Sequence, residues 1–473
     1  MITLSISSVF SWIENNIVWG IPLIVLILTV GIILSIRFKF LQIRKLGKSF
    51  KCIVQKDSDG KGEVSSFAAL CVSMAATLGT GKIVGVAIAI SIGGPGALFW
   101  MILAALFGMA TSYAEGFLSI KYRKITEDGS VIGGPFTYIE EGMGKKWVPL
   151  AKCFAIFGAL AGVMGTGTMT QMNSITESVV SVFDPNKVNM INLFGTSFPV
   201  AGIIAAIIVT ILAAIAVIGG IERISKVASI LVPFMAVTFL VSCLLVVLFN
   251  IDQVPNAIGM IIKEAFNFKA AFGGAAGVGI LIAMKEGVSK GIFSNEAGLG
   301  SAPIALSTSK SNDAVKTGLR CMSTTFIDTM ILCLTIGLGI VIIGEYKSAE
   351  GINITINTFT KGLNIPHLVG SIIVMFCIVT FAFTTIIGWN VYGEKCIAYL
   401  TNNNKKAVFI YKLIYIFFVA IAPFLTLDLI WTTASMCNGL MAIPNLIAVL
   451  VLSKVVKKDT EEYFNNQKKE SLN

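Results

Sequence analysis

The sequence is poor in the residues that soluble enzymes rely on. It has one histidine, His367, so no multi-histidine centre can form, and charged residues make up only 13% of its 473 positions, about half the globular norm of ~25%. So few charges cannot cover a soluble fold of this length. The first basic residue is Arg37, with Glu14 the one earlier charge, so the basic start of a cleaved signal peptide is missing and none is expected. The nine cysteines are odd in number, lie mostly inside apolar runs and show no metal-site spacing with histidine. A disulfide framework, a metal centre and any other cofactor are therefore not expected. What the chain does have is apolar residues, 55% of the total, in recurring windows of 18 or more with few or no charges. This is an all-α polytopic membrane protein whose solvent is the lipid bilayer. A soluble enzyme, a nucleic-acid-binding protein and a disordered scaffold are excluded, and the net charge of +10 reflects topology.

The hydropathy pattern predicts about eleven transmembrane helices, near 17–36, 66–91, 96–119, 150–181, 198–218, 226–249, 270–290, 320–343, 367–392, 407–426 and 429–453. Thirty of the 36 Lys and Arg residues then fall on one side of the membrane and five on the other, leaving Lys82 inside a span. That bias puts the N-terminus outside and the C-terminus in the cytoplasm of a multi-pass plasma (inner) membrane protein. His367, after Pro366 at the mouth of a span, reads as interfacial. The tail at 456–473 reads as polar and disordered.

Two spans break the rules for plain helices. The second carries Gly79-Thr80-Gly81-Lys82 near its middle, and the seventh carries Phe272-Gly273-Gly274-Ala275-Ala276-Gly277. Each glycine costs about 1 kcal/mol of helix propensity. Close packing through small residues is one explanation. The other rests on position: the two lie five crossings apart, so spans 2–6 (65–250) and 7–11 (251–455) must run with opposite topology, and residues 1–64 add an extra helix with a basic loop. Paired interrupted helices opening two inverted repeats point to a transporter's midplane site. Free N–H groups there suit a carboxylate and free carbonyls suit a cation or an ammonium, a combination that fits a small neutral amino acid.

Around these residues the chain resembles the alanine-or-glycine:cation symporters of the amino acid–polyamine–organocation superfamily. The likeness rests on Gly79 to Ala87, Gly93-Gly94-Pro95-Gly96-Ala97, Phe99-Trp100-Met101, Gly133-Gly134-Pro135 with Tyr138, and the string Phe293 to Pro303. Phe326-Ile327-Asp328-Thr329, Gly388-Trp389 with Tyr392-Gly393-Glu394, and Leu440 to Asn445 continue it in family order. The resemblance implies a LeuT-like five-plus-five inverted-repeat core preceded by one helix, and Na+- or H+-driven symport of small amino acids such as alanine or glycine. By the same likeness Gly79, Thr80 and Gly81, facing Phe272, Gly273, Gly274 and Ala275, would contact the substrate backbone, flanked by Gln171 and Asn173. Na+ would be held by the carbonyls of Ala75, Leu78 and Phe381 with the hydroxyls of Thr384 and Thr385, a hard-oxygen set; the alternative is that these hydroxyls bond back to their own helix. The string from Phe293 would form a short helix and turn at the inner mouth, anchored by Asn295 and Glu296, that rearranges when the site opens.

The chain departs from the family at Lys82, where the family has Asn. A buried ammonium has no acceptor for a cation and needs a partner; the resemblance implies that Asp328 faces it. Thr168 stands for Asn, Lys285-Glu286 for Arg-Tyr, and Ser435 for Asp. These departures bear on ion stoichiometry and choice of amino acid. No ring of charges suggests a channel, and no convergent catalytic set suggests an enzyme. The alternatives to Na+ symport are an H+-coupled carrier, with Lys82 replacing a coupling Na+, and a transporter-like sensor. A functional monomer is expected.

Overall fold

The computed structural model describes Trp12 and residues 18–55, 57, 60–193, 196–266, 276–425 and 427–470. The apolar runs wind into helices with ordinary capping chemistry: Ser65 accepts from the Ala68 amide at 3.2 Å, and Asp313 from the Lys316 amide at 2.9 Å. In chain order the principal helices are α1 Ile21–Arg37, α2 Leu46–Val54, α3 Ser66–Thr77, α4 Gly85–Gly93, α5 Gly96–Lys121 and α6 Val148–Met164. They continue as α7 Met169–Phe183, α8 Val200–Ile218, α9 Gly220–Phe249, α10 Val254–Ala265, α11 Ala276–Asn295 and α12 Ala302–Leu306. The last six are α13 Ala314–Thr325, α14 Leu334–Ile343, α15 Ile352–Gly362, α16 His367–Leu400, α17 Lys405–Ile421 and α18 Leu427–Glu470. Two antiparallel hairpins, Lys124–Ile125 with Val131–Ile132 and Met190–Leu193 with Thr196–Pro199, complete the described chain.

Among the described residues, eight helical segments are long and apolar enough to cross a bilayer, and α3 with the Thr80–Gly93 segment, bent by 52° at their junction, makes a ninth. Two further helices stand where the sequence reading puts its first and seventh spans. α1 is apolar but has only 17 residues, and α11 carries Lys285, Glu286 and Lys290. The expected break at 272–275 lies outside the described residues.

α5 and α16 form the centre. α5 packs on α1, α11 and α13, while α16 packs on α3, α6, α7 and α9. A Cβ on Gly388 of α16 would come within 2.7 Å of the Ala76 amide nitrogen, so the bare glycine is what lets α16 lie directly on α3. At the periphery α8 exposes Ile204, Ile207, Ile208, Ile211 and Ile215, a patch that makes sense only against lipid. Between α13 and α14 the chain winds more widely, with i→i+5 geometry over Phe326–Cys333.

The tail corrects the sequence reading. Instead of being disordered beyond 456, it continues α18 as helix to Glu470. Its polar composition hides an inward stripe: Val456 is fully buried, Thr460 shares a 2.7 Å hydrogen bond with Tyr113, and the Lys45 ammonium lies 4.4 Å above the Phe464 ring.

Candidate substrate and ion site

α3 stops at Thr77, and one tight turn, Thr80–Lys82, precedes α4. A break of this kind frees backbone groups that must find partners inside the protein. Thr355 of α15 donates to the Ile83 carbonyl at 2.7 Å. Gln171 of α7 accepts from the Thr80 amide at 3.3 Å and the Thr80 hydroxyl at 3.2 Å, and its own amide donates to the Thr166 carbonyl at 3.1 Å. A Cβ on Gly79 would stand 3.0 Å from the Thr385 hydroxyl and 3.3 Å from Gln171 Nε2, so a side chain there would crowd both.

Lys82 points inward and is wholly buried. Its ammonium lies 2.5 Å from Asp328 Oδ1, donates to the Thr77 carbonyl at 2.8 Å, and reaches the Ser294 hydroxyl at 3.4 Å. The ammonium is thus hydrogen-bonded to Thr77 and Ser294 and ion-paired with Asp328. The other carboxylate oxygen, Asp328 Oδ2, accepts from Ser294 at 3.0 Å and Thr329 at 2.8 Å, and Asn295 donates to Thr329 at 3.0 Å. Asp328 rides on the wide winding, a geometry that clusters at functional sites.

The oxygens read as an ion site converge where α16 meets α3. The Thr385 hydroxyl lies 3.0 Å from both the Ala75 and the Phe381 carbonyls, and Thr384 donates to Phe381 at 2.9 Å. Thr384 and Thr385 do bond back to their own helix, and Thr385 in addition reaches across to α3. Leu78 ends the helix, with its amide on the Met74 carbonyl at 2.7 Å. Buried carbonyl and hydroxyl oxygens of this kind suit a small hard cation.

The string from Phe293 forms the tip of α11, a turn, and α12. Asn295 and Glu296 are buried within it rather than presented to solvent. Glu296 has a left-handed backbone with φ 56°, accepts from Trp389 Nε1 at 3.0 Å and from the Ser301 hydroxyl, and burial pushes its carboxyl up to about 8. Gly298 and Gly300 are left-handed too, at φ 92° and 77°. Under them Glu115 of α5 accepts from the Gly298 amide at 3.1 Å and from Asn445 of α18 at 2.5 Å, while Tyr138 donates to Asn445.

The structure forms two buried networks at α3's end, one of Lys82, Asp328, Ser294, Thr329 and Asn295 and one of Thr80 and Gln171, and the position of Gly79 lies close to both Gln171 and the Thr385 hydroxyl. Asn173 stands apart: it lines a cavity of about 530 Å³ with Glu177, Phe198, Asn353, His367 and Pro423. Phe272, Gly273, Gly274 and Ala275 lie outside the described residues. Sequence reasoning gave no role to the Ser294 hydroxyl, Thr355 or Glu115. An isolated hydroxyl or carboxylate in an apolar helix shows that something is bonded but not to what.

A family model described as the sodium:alanine symporter family matches residues 3–473. An uncharacterized transporter of Haemophilus influenzae is 45% identical over 98% of both chains. The sodium/alanine symporter AgcS of Methanococcus maripaludis is 39% identical over 97% of this chain and 98% of its own, and the probable sodium/glutamine symporter GlnT of Bacillus subtilis is 35% identical over 96% and 90%. The crystal structure of MhsT in complex with L-phenylalanine superposes with a TM-score of 0.55 at 13% identity, covering 84% of this chain and 90% of that one, which places this chain in the LeuT-like fold. The chain belongs to the sodium:alanine symporter family and is a multi-pass membrane transporter.

Proposed function

We propose that this transporter couples Na+ entry to the uptake of a small neutral amino acid, alanine or glycine first, by alternating access, and that Lys82 takes the place of one coupling Na+. The observation that carries this reading is the buried ammonium of Lys82, held by Asp328 and the Thr77 carbonyl inside the broken helix. A fixed ammonium there supplies from within the protein the positive charge that a coupling Na+ would otherwise bring. The oxygens of Ala75, Phe381, Thr384 and Thr385, with the Leu78 carbonyl, take the remaining Na+. Gly79, Thr80 and Gly81 face the substrate with Phe272 and with Gly273, Gly274 and Ala275, the last three small enough to favour small amino acids, and Gln171 flanks it. Asn295 and Glu296 hold the string that rearranges as the site opens. AgcS is named for sodium and alanine and GlnT for sodium and glutamine, so both substrates belong in the test. The same reading includes eleven crossings, inverted repeats at 65–250 and 251–455, a cytoplasmic lysine-rich end and a functional monomer.

The test is uptake of radiolabelled alanine, glycine, serine and glutamine into proteoliposomes under Na+ or H+ gradients. Alanine or glycine should enter with Na+, and Lys82→Asn should raise the Na+ Hill slope. An unchanged slope and pH profile in Lys82→Asn would remove Lys82 from coupling. Binding without counterflow would make the chain a sensor.

A further inference from the structure

A second charged feature lies away from the site, at the lysine-rich end of the bundle. Arg37 closes α1, and Lys454, Lys457 and Lys458 follow the last apolar turns of α18. Between them is a cleft of about 520 Å³ lined by these four cations together with Glu461 and Glu462. Both acids are already engaged, Glu461 with Lys39 at 3.0 Å and Glu462 with Lys458 at 3.9 Å. Among the described residues no ion pair is formed by Arg37, Lys454 or Lys457. The Arg37 guanidinium is fixed by a hydrogen bond to the Ser453 hydroxyl, so it cannot swing freely away from its neighbours. Three like charges sharing one cleft repel unless an anion joins them.

The surface immediately toward the membrane is apolar. Ile33 and Ile36 on α1 are 36% and 61% exposed, and Val451, one turn before Lys454 on α18, is 54% exposed. An anion-seeking cleft placed directly above an apolar strip has the shape of a phospholipid, headgroup over acyl chain, whereas a free phosphate would use only the upper half. Basic pockets between transmembrane helices are the recurring means of holding anionic headgroups. We propose that this cleft binds one anionic phospholipid, its phosphate held by Arg37, Lys454 and Lys457 and an acyl chain lying along Ile33, Ile36 and Val451. The site depends neither on the transport reading nor on which membrane face the lysine-rich end occupies.

The experiment uses the full chain, delipidated and titrated with phosphatidylglycerol or phosphatidylcholine, with bound lipid counted by native mass spectrometry. Phosphatidylglycerol should saturate one site that phosphatidylcholine does not. Each basic residue near an anionic lipid surface is worth a factor of about five, so Lys454→Gln/Lys457→Gln should weaken binding by about 25-fold. Lys145→Gln/Lys146→Gln, which removes equal charge elsewhere on the same end, should leave it unchanged. Equal retention of the two lipids, equal weakening by both double variants, or displacement of the lipid by millimolar inorganic phosphate would each overturn the proposal.

Discussion

The two ends of the bundle are held by very different means. At the lysine-rich end, side chains distant in sequence are tied together: Arg320 donates to the Cys52 carbonyl at 2.8 Å and pairs with Asp57 at 2.5 Å, Lys395 pairs with Glu63 at 2.7 Å, and Arg123 donates to the Ser307 and Ser309 carbonyls at 2.7 Å. At the other end are the Lys361–Glu345 pair at 2.6 Å and the cavity lined by Asn173 and His367. Each end has a cavity, about 560 Å³ lined by Glu63 and Lys395 at the lysine-rich end and about 530 Å³ at the other, so it is the long-range ion pairs that set the lysine-rich end apart. Opening the lysine-rich end would have to undo these ion pairs. Exposed pairs are worth little singly, while a buried one such as Arg320–Asp57 resists. The seal is therefore concentrated in a few buried contacts, with the buried Lys82–Asp328 pair between the two ends.

That contrast orders the expected effects of breaking charges. Asp328→Asn strands a buried ammonium and should cost about 3–5 kcal/mol in detergent unfolding, with loss of uptake. Lys82→Met/Asp328→Leu should recover the melting temperature but not transport, and a cost below about 1 kcal/mol for the single variant would show that the pair is not held dry. Arg320→Gln should cost about 2–3 kcal/mol. It should also open the sealed end, so that Ala305→Cys, buried on α12, is labelled from the lysine-rich side at least about tenfold faster; no change in labelling would place the seal elsewhere. Glu296 gives a smaller, pH-dependent effect. Folded, it keeps its proton to about 8, against 4.5 for an ordinary glutamate, so the native state binds more protons across that window. Stability should fall as pH rises from about 4.5 to 8 and level off above. Glu296→Gln should flatten the curve, and an identical slope in that variant would assign the dependence to another group. Lys124, partly exposed beside Glu140 and Glu141, marks the lower limit: Lys124→Gln should change stability by no more than about 0.5 kcal/mol.

The course of the site was legible wherever a residue was chemically out of place. Gly79 and Gly81 in mid-span told of a break, and a lysine beside them required an acid, which the family likeness pointed to as Asp328. That likeness also brought Thr384 and Thr385 near α3, although only the close approach at Gly388 explains how Thr385 reaches the Ala75 carbonyl. What was not legible depended on contacts across long sequence separations. Arg320 gives no hint that it will hold the carbonyl of Cys52, and Glu115 none that it will carry the turn at Gly298. The tail was misread because composition weighs all residues alike, while packing uses one stripe; Val456, Thr460 and Phe464 recur at helical spacing within a polar sequence. Asn173, two residues from Gln171 on the same helix, turns to a different face and so to the cavity.

The wide winding at Phe326–Cys333 has a consequence for how this site can change over time. A turn closed i→i+5 holds one residue more than an ordinary turn. The helices before and after it, α13 and α14, can therefore keep their facing seams while the added turn carries Asp328. Loss of a single codon within 329–333 would restore ordinary winding and re-aim the carboxylate by up to about 100°, one residue's rotation, with the seams on either side kept. Charge pairing with Lys82 is thus set by the winding of one turn rather than by the packing of the helices on either side.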